Sequence, residues 1–241
     1  MEEWHIPMRK RGESGQFKVN FLWQEGPVYL MDNHLASVWC WLRETGPEPA
    51  GGLIHIDRHS DCLGATLDKQ TQRLPKDLST MSLDDYLGRE YQHEECTIPV
   101  FCSGSYLAVF LELYQARVNE LIFATHELRD DSPAMEAQRV KPWDLPECLD
   151  ACWSKPFPWI VNVDLDFFFF FKRNDNERPP LFSHCYIRDV FSQIRDGLRR
   201  KAIRVVTIAL SPEWCGGWEA AESLCSEACD ALGIRFRLPP P

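Results

Sequence analysis

Short apolar runs alternate with longer amphipathic stretches along the chain. Runs rich in β-branched and aromatic residues predict strands over residues 27–31, 52–57, 120–125, 159–167 and 204–210. Apolar residues that recur every three or four positions predict helices over residues 34–44, 82–95, 105–118, 186–201 and 217–232. Because strands that alternate with helices are typical of βα units, we expect an α/β fold with a mostly parallel central sheet.

Local signals refine this pattern. Ser82 followed by Asp85 resembles an acidic capping box and supports the helix that begins there, and Gly233 ends the last helix. Residues 64–80 are polar and have no clear period, and residues 129–158 contain five prolines, so both segments are expected to be loops. A length of 241 residues fits one domain, residues 1–241.

Charge narrows the range of partners. The chain has 26 Lys and Arg against 36 Asp and Glu, a net charge of −10, which disfavours nucleic acid and favours a cationic partner. No apolar run approaches the roughly 20 residues of a membrane helix, and the N-terminus lacks a signal-peptide core. We therefore expect a soluble, cytoplasmic protein that binds neither membrane nor nucleic acid.

Two predicted strands run into acidic residues rather than into turn residues. The residues concerned are Asp57, His59 and Asp61 after the second strand, and Asp164 and Asp166 in the fourth. In an extended chain, residues two apart point to the same side. Buried carboxylates need a cation or hydrogen bonds, and ligands of open α/β sheets bind at the carboxyl ends of the strands. The pattern predicts a shared cation site at that edge.

The residue types indicate which metal would bind. The set is rich in oxygen and lacks thiolates, which favours Mn²⁺ or a similar hard divalent ion over structural zinc. Four carboxylates exceed the needs of one ion and suit two ions roughly 3.5 to 4 Å apart. His34 follows a predicted strand and opens a predicted helix, and it is a candidate sixth ligand. Solvated surface carboxylates and a hydrogen-bonded histidine are the alternative interpretation.

The motifs resemble those of the ureohydrolase superfamily, which contains the arginases and agmatinases and shares its fold with the histone deacetylases. That superfamily has a histidine at a strand-to-helix junction, then Asp-x-His-x-Asp, then Asp-x-Asp, in the order found here. IHIDRHSD and VNVDLDFF are similar to the UPF0489 family, some of whose members are peptide arginases. The resemblance implies a three-layer arginase-like fold, two Mn²⁺ ions per chain and conversion of peptide arginine to ornithine and urea.

The resemblance also implies a role for each metal ligand. In the family, two aspartates bridge the two ions. One histidine and one further aspartate complete the coordination of each ion. The bridging pair is Asp57 and Asp164, the first completing pair is His34 and Asp61, and the second is His59 and Asp166.

Two further residues have predicted catalytic roles. In the resemblance, a glutamate past the last strand holds the guanidinium, which assigns substrate binding and catalysis to Glu213, with Glu219 as the alternative. A planar cation is well matched by a fixed carboxylate that accepts paired hydrogen bonds. His126 follows another predicted strand, and its imidazole is a candidate to protonate the departing amine.

Five consecutive phenylalanines, residues 167–171, follow the second acidic motif. If the chain stays extended, Phe168 and Phe170 point to one side, and a sheet buried on both faces could hold the whole run. Alternatively, Phe168 forms an apolar wall at the site and binds substrate residues that flank a target arginine. Ordinary arginases have Asp-Pro here, so we expect an arginine-containing peptide with a leader segment as the substrate.

Three alternatives remain open at this point. One is a small-molecule ureohydrolase, the second is a deacetylase-like amidohydrolase on the same fold, and the third is a non-catalytic binding protein. About two Mn²⁺ ions per chain would favour the ureohydrolases, whereas one Zn²⁺ or no metal would favour the other two.

Overall fold

The computed structural model describes residues 2–72, 74–75, 77–126, 135–170 and 178–240. Within these ranges the strands are β1 (Glu2–Ile6), β2 (Leu22–Glu25), β3 (Val28–Met31), β4 (Gly51–Ile56), β5 (Glu90–His93), β6 (Cys96–Pro99), β7 (Val118–Ala124), β8 (Gln138–Arg139), β9 (Trp159–Asp164) and β10 (Ile203–Ala209). The α-helices are α1 (Ser37–Thr45), α2 (Leu67–Thr71), α3 (Leu83–Leu87), α4 (Tyr106–Tyr114), α5 (Leu145–Cys152), α6 (His184–Arg199), α7 (Pro212–Cys215) and α8 (Trp218–Leu232).

An eight-stranded sheet with the order β1-β2-β3-β10-β9-β4-β7-β8 forms the centre of the described structure. The pairs β1–β2 and β2–β3 are antiparallel, and every pair from β3 to β8 is parallel. β5 and β6 form a separate antiparallel hairpin. The expected α/β fold with a mostly parallel central sheet is therefore confirmed, and its central strands are the ones that the apolar runs predicted.

Helices cover both faces of this sheet. α5, α6 and α8 pack on one face against strand residues such as Val161 and Ile208, whereas α1, α3 and α4 pack on the other against Ile160 and Val205. Because both faces are covered, successive residues of a central strand are apolar, and the strand reads as a continuous hydrophobic run. Among the described residues, no helix is both long and apolar enough to span a bilayer.

The predicted helix over residues 82–95 is wrong beyond Leu87. Its start is confirmed, because Ser82 Oγ accepts a hydrogen bond from the Asp85 N–H at 3.1 Å and donates one to Asp85 Oδ2 at 2.8 Å. The helix ends at Gly88, and the chain continues into the β5–β6 hairpin, where Tyr91 is buried. Around Tyr91 the side chains alternate between buried and more exposed, as in a strand, instead of following the helical period that we expected.

The two predicted loops also contain helices. α5 lies inside residues 129–158, and a proline occupies its first turn, where the missing N–H has no partner to lose. α2 lies inside residues 64–80 and buries Gln70. The expectation of a loop was therefore wrong over α2 and α5; at α5 the reason is that a proline in the first turn is compatible with a helix.

Two glycines allow β4 to lie close to the chain that leads into β9. A Cβ atom at Gly52 would lie 2.2 Å from the Trp159 ring, and one at Gly51, where φ is +82°, would lie 1.9 Å from the Pro158 carbonyl oxygen. Only a residue without a side chain fits this approach. Because β4 and β9 carry the acidic motifs, these glycines help to set the distance between them.

We expect Gly52→Ala to lower the free energy of unfolding by roughly 1 to 3 kcal/mol, because the added methyl group overlaps a rigid, buried indole ring. Urea denaturation followed by fluorescence measures the change. Gly15→Ala is the matched control, because a Cβ atom there meets nothing within 4 Å. Equal stability of both variants would contradict the close packing of Trp159 on β4.

Candidate metal centre

Four adjacent parallel strands bring the predicted site residues to one edge of the sheet. β3, β10, β9 and β4 are neighbours and run in the same direction. His34 follows β3, Asp57 follows β4, Asp164 ends β9, and Glu213 follows β10. Their carboxyl ends therefore meet at the edge where open α/β sheets bind ligands.

His34 opens a 3₁₀-helix, His34–Ala36, directly after β3, as the sequence predicted. The Asn33 side chain caps this helix by accepting a hydrogen bond from the Leu35 N–H at 3.1 Å. The imidazole of His34 stacks on the Tyr106 ring, with 5.1 Å between centroids and 6° between planes. The helix cap and the stacking together fix the position of the His34 ring. Its Nε2 atom lies close to the carboxylates of Asp57, Asp61 and Asp164.

A first triad of possible ligands forms around His34. Its Nε2 atom is 3.4 Å from Asp57 Oδ2 and 3.8 Å from Asp61 Oδ2, and it contacts the Asp164 carboxylate still more closely. One ligand atom each from His34, Asp57 and Asp61 lies within 4.8 Å of the others. These three residues could hold a metal ion.

A second triad shares one residue with the first. The His59 Nδ1 atom is 3.6 Å from Asp57 Oδ1 and 3.1 Å from Asp166 Oδ2. Ligand atoms of Asp57, His59 and Asp166 also lie within 4.8 Å of one another. Asp57 thus belongs to both triads, and the buried cluster could form a binuclear metal site.

Turns, and not the strand alternation that we predicted, bring the first motif together. β4 ends at Ile56, and residues 57–61 leave the strand. The His59 N–H donates to Asp57 Oδ1 at 2.6 Å, which is an aspartate turn, and the backbone of Asp61 is left-handed with φ of +49°. Aspartate tolerates that conformation better than most residues do.

The second motif uses the same device. β9 ends at Asp164, so the predicted strand over residues 159–167 is too long, and a 3₁₀-helix, Leu165–Phe168, follows. The Asp166 N–H donates to Asp164 Oδ1 at 2.9 Å and starts this helix. The two aspartates still reach one site, but Asp164 points toward His34 and Asp166 toward His59.

The electrostatics of the cluster reflect an excess of buried negative charge. Burial, together with the charges of Asp166 and Asp164, raises the pKa of Asp57 well above its ordinary value. Burial alone would lower the pKa of His59, but its contacts with Asp166 and Asp57 raise it to about 11. A bound cation would offset this repulsion, because charges removed from water need a compensating partner.

Asp57 shows that the residues present fit a metal. Its Oδ2 atom is buried and has no hydrogen-bond partner among the described residues, although His34 Nε2 and His55 Nε2 lie 3.4 and 3.7 Å away. A buried carboxylate oxygen without a hydrogen bond is costly unless a cation is near. The donor set is carboxylate oxygen and imidazole nitrogen without thiolate, which suits a hard divalent ion.

A pocket of about 130 Å³ opens beside these ligands. It is lined by Ser14, Gly15, Gln16, Asn33, His34, His59, Ser60, Asp61, Leu63, Ser103, Gly104, Asp164, Ser211, Glu213 and Trp214. Glu213 reaches the pocket from the first turn of α7 and accepts a hydrogen bond from the Ser14 N–H. Desolvation raises the pKa of its carboxyl group. Glu219, the alternative, is not among the lining residues.

Ser211 shapes the turn that carries Glu213. Its backbone is left-handed, with φ of +44°, which is uncommon for a residue other than glycine. Its hydroxyl donates to Asp164 Oδ2 at 2.7 Å, and its N–H donates to the Asp32 carbonyl at 2.8 Å. Backbone strain of this kind is concentrated at functional sites, and here it accompanies a link between the pocket wall and Asp164.

One wall of the pocket comes from the N-terminal segment, which sequence reasoning missed. The Asp32 carboxylate accepts hydrogen bonds from the N–H groups of Asn20 at 2.7 Å and Phe21 at 3.2 Å. The Asn33 side chain donates to Ser14 Oγ at 3.2 Å. The available signal was the pair Asp32 and Asn33 between a buried strand and His34, because buried polar side chains need hydrogen-bond partners.

His126 and Phe168 lie elsewhere in the described structure. His126 Nε2 is 2.9 Å from the Phe167 carbonyl oxygen, and this histidine does not line the pocket, so its role as proton donor stays a prediction. Phe168 is 1% exposed and packs against Phe191 in the core, so the structure does not support it as a substrate contact. Its 3₁₀-helix replaces the expected alternation, and Phe171 lies outside the described residues.

No protein-family model matches the chain, and no curated protein matches it. The site itself is therefore the basis for a function.

We expect Asp57→Asn to lower the affinity for divalent cations by at least about tenfold, because it removes a charged ligand shared by both triads and leaves the size of the side chain unchanged. Calorimetric titration with several divalent cations measures the change. Asp189→Asn, at an exposed position of α6, is the control and should bind like the wild type. Unchanged affinity of Asp57→Asn would contradict the shared position of this residue.

Proposed function

We propose that the protein is a binuclear manganese hydrolase, a peptide arginase, which converts arginine in a ribosomally made peptide to ornithine and releases urea. The observation that carries the proposal is the pair of triads that share Asp57, beside a pocket that Glu213 lines together with His34, His59 and Asp61. The order of the motifs, which resembles that of the ureohydrolases, agrees with it.

The chain would hold two Mn²⁺ ions through its six acidic and imidazole ligands. His34 and Asp61 would bind one ion, and His59 and Asp166 the other, with Asp57 and Asp164 shared by both. Such ions lower the pKa of a water molecule and stabilise negative charge that develops on the substrate.

Glu213 would orient the guanidinium. This cation is planar and carries N–H donors in a fork, and a carboxylate accepts them as a pair. The Ser14 N–H already holds one oxygen of Glu213, so the carboxylate needs little reorganisation when substrate binds.

The reaction consumes one water molecule. Its oxygen bonds to the guanidino carbon, and the bond from that carbon to the side-chain nitrogen breaks. The nitrogen leaves with a proton as the amine of ornithine, and the carbon leaves in urea. His126 is not part of this proposal, because it lies outside the described pocket.

Two features of the pocket support an arginine within a peptide, rather than free arginine, as the proposed substrate. Leu63 and Trp214, 46% and 41% exposed, offer apolar contact to residues that flank the target. A volume of about 130 Å³ is also below the roughly 300 to 1,000 Å³ that encloses a whole small ligand, and it suits the end of a side chain.

We expect Glu213→Gln to keep its metal and to lose at least about tenfold in kcat/KM, because the neutral amide no longer pairs with the guanidinium charge. Urea release and metal content are measured on the same sample. Glu219→Gln is the matched control and should retain wild-type turnover, since this residue does not line the pocket. Loss of metal from Glu213→Gln would show instead that Glu213 is a metal ligand.

We expect kcat/KM for arginine within a peptide to exceed that for free arginine or agmatine by at least about tenfold, roughly 1.4 kcal/mol of transition-state binding. The Mn²⁺-loaded protein is incubated with a panel of arginine peptides and with both small molecules. Mass spectrometry detects the product as a loss of about 42 Da, the CN₂H₂ difference between arginine and ornithine.

Each other outcome favours one of the alternatives. Equal or faster turnover of free arginine or agmatine would favour a small-molecule ureohydrolase. Release of acetate from acetyl-lysine peptides without urea would favour a deacetylase-like enzyme, and binding without turnover would favour a non-catalytic protein.

A further inference from the structure

A row of polar side chains crosses the sheet two residues before the proposed metal ligands Asp57 and Asp164. His55, Asn162 and Thr207 are paired in register on β4, β9 and β10, and each is 0% exposed. Asn162 lies two residues before Asp164, so both side chains point to the same face of the sheet. Three polar side chains that are fully buried need an internal set of hydrogen-bond partners.

The series of hydrogen bonds in this row begins at an indole on α1. The N–H of Trp41 can only donate, and it donates to Thr207 Oγ1 at 2.9 Å. The Thr207 hydroxyl donates its own hydrogen to Asn162 Oδ1, which is 2.8 Å away. With its oxygen engaged there, Asn162 presents its Nδ2 group to His55 Nδ1 at 3.1 Å.

The tautomer of His55 follows from this direction. A ring nitrogen that accepts a hydrogen bond carries no hydrogen, so the neutral imidazole has its hydrogen on Nε2. His55 Nε2 lies 3.1 Å from the backbone carbonyl oxygen of His59, which can only accept. The last bond of the series thus joins strand β4 to the segment that carries Asp57, His59 and Asp61.

We name this series the tautomer relay; its members are Trp41, Thr207, Asn162 and His55. We infer that the tautomer relay positions His59 for metal binding, by holding the Nε2–H of His55 on the His59 carbonyl. The inference rests on the metal centre of the proposed function. His55 is a positioning residue here, because it acts through the backbone of a ligand, as outer partners of metal ligands commonly do.

The relay also has a branch to the other histidine of the centre. The second N–H of Asn162 donates to the Tyr106 hydroxyl at 2.9 Å. The Tyr106 ring stacks on His34. The Asn162 amide is therefore linked to both histidines of the proposed centre, to His59 through His55 and to His34 through Tyr106. Its oxygen is held by Thr207, which is not part of either link.

Thr207 offers a matched pair of variants that tests the relay. Thr207→Val keeps the shape but removes the hydroxyl, so the Asn162 amide loses the donor to its oxygen, whereas Thr207→Ser keeps the hydroxyl. In calorimetric titration with Mn²⁺, we expect the valine variant to bind about tenfold more weakly and the serine variant to stay within about twofold of wild type. Wild-type affinity in the valine variant would overturn the relay alone, and failure of the wild type to bind Mn²⁺ would overturn the proposed metal centre with it.

A measurement on the wild type keeps the inference testable if the valine variant does not fold. Nitrogen-15 NMR of histidine-labelled protein distinguishes the two neutral tautomers, and the His55 signal is assigned by its absence from His55→Gln. We expect the hydrogen on Nε2. A hydrogen on Nδ1 would overturn the relay whatever the variants do.

Discussion

Crowding of carboxylates at one edge of the sheet is the constraint on which the rest of the site depends. Asp57, Asp61, Asp164 and Asp166 converge within the contact distance of two imidazoles. Burial raises the pKa of Asp57, Asp61 and Asp166, because their charges lose water and repel one another. Such a cluster lowers the stability of the fold unless a cation compensates, so its presence argues for function over packing.

The scaffold that holds this cluster is stiff for identifiable reasons. Parallel strands covered on both faces supply the ends from which the ligands project. Beneath them, the hydrogen bonds that run from Trp41 to His59 tie three strands and a helix to the first metal motif. Ligands positioned in advance lose little conformational freedom on binding, which is how a protein favours one metal geometry.

The sequence predicted the central strands and the clustering of the acidic and imidazole side chains because both leave a local signal. Burial on two faces makes continuous apolar runs, and acidic residues directly after such runs stand out. The turns at Asp57 and Asp164 left no comparable signal in the sequence. Each turn forms because the aspartate side chain accepts a hydrogen bond from a backbone N–H two residues later, and this bond favours a turn over an extended chain. The sequence could not predict the pocket wall at Ser14 or the hydrogen bond from Trp41 to Thr207, because in each case the two partners are distant in the sequence.

Anomalous diffraction at the manganese absorption edge, from crystals grown with Mn²⁺, tests the central claim of a binuclear centre most directly. The account predicts two peaks roughly 3.5 to 4 Å apart, one beside His34 and Asp61, the other beside His59 and Asp166, with Asp57 between them. A single peak, or no peak at this edge of the sheet, would contradict it.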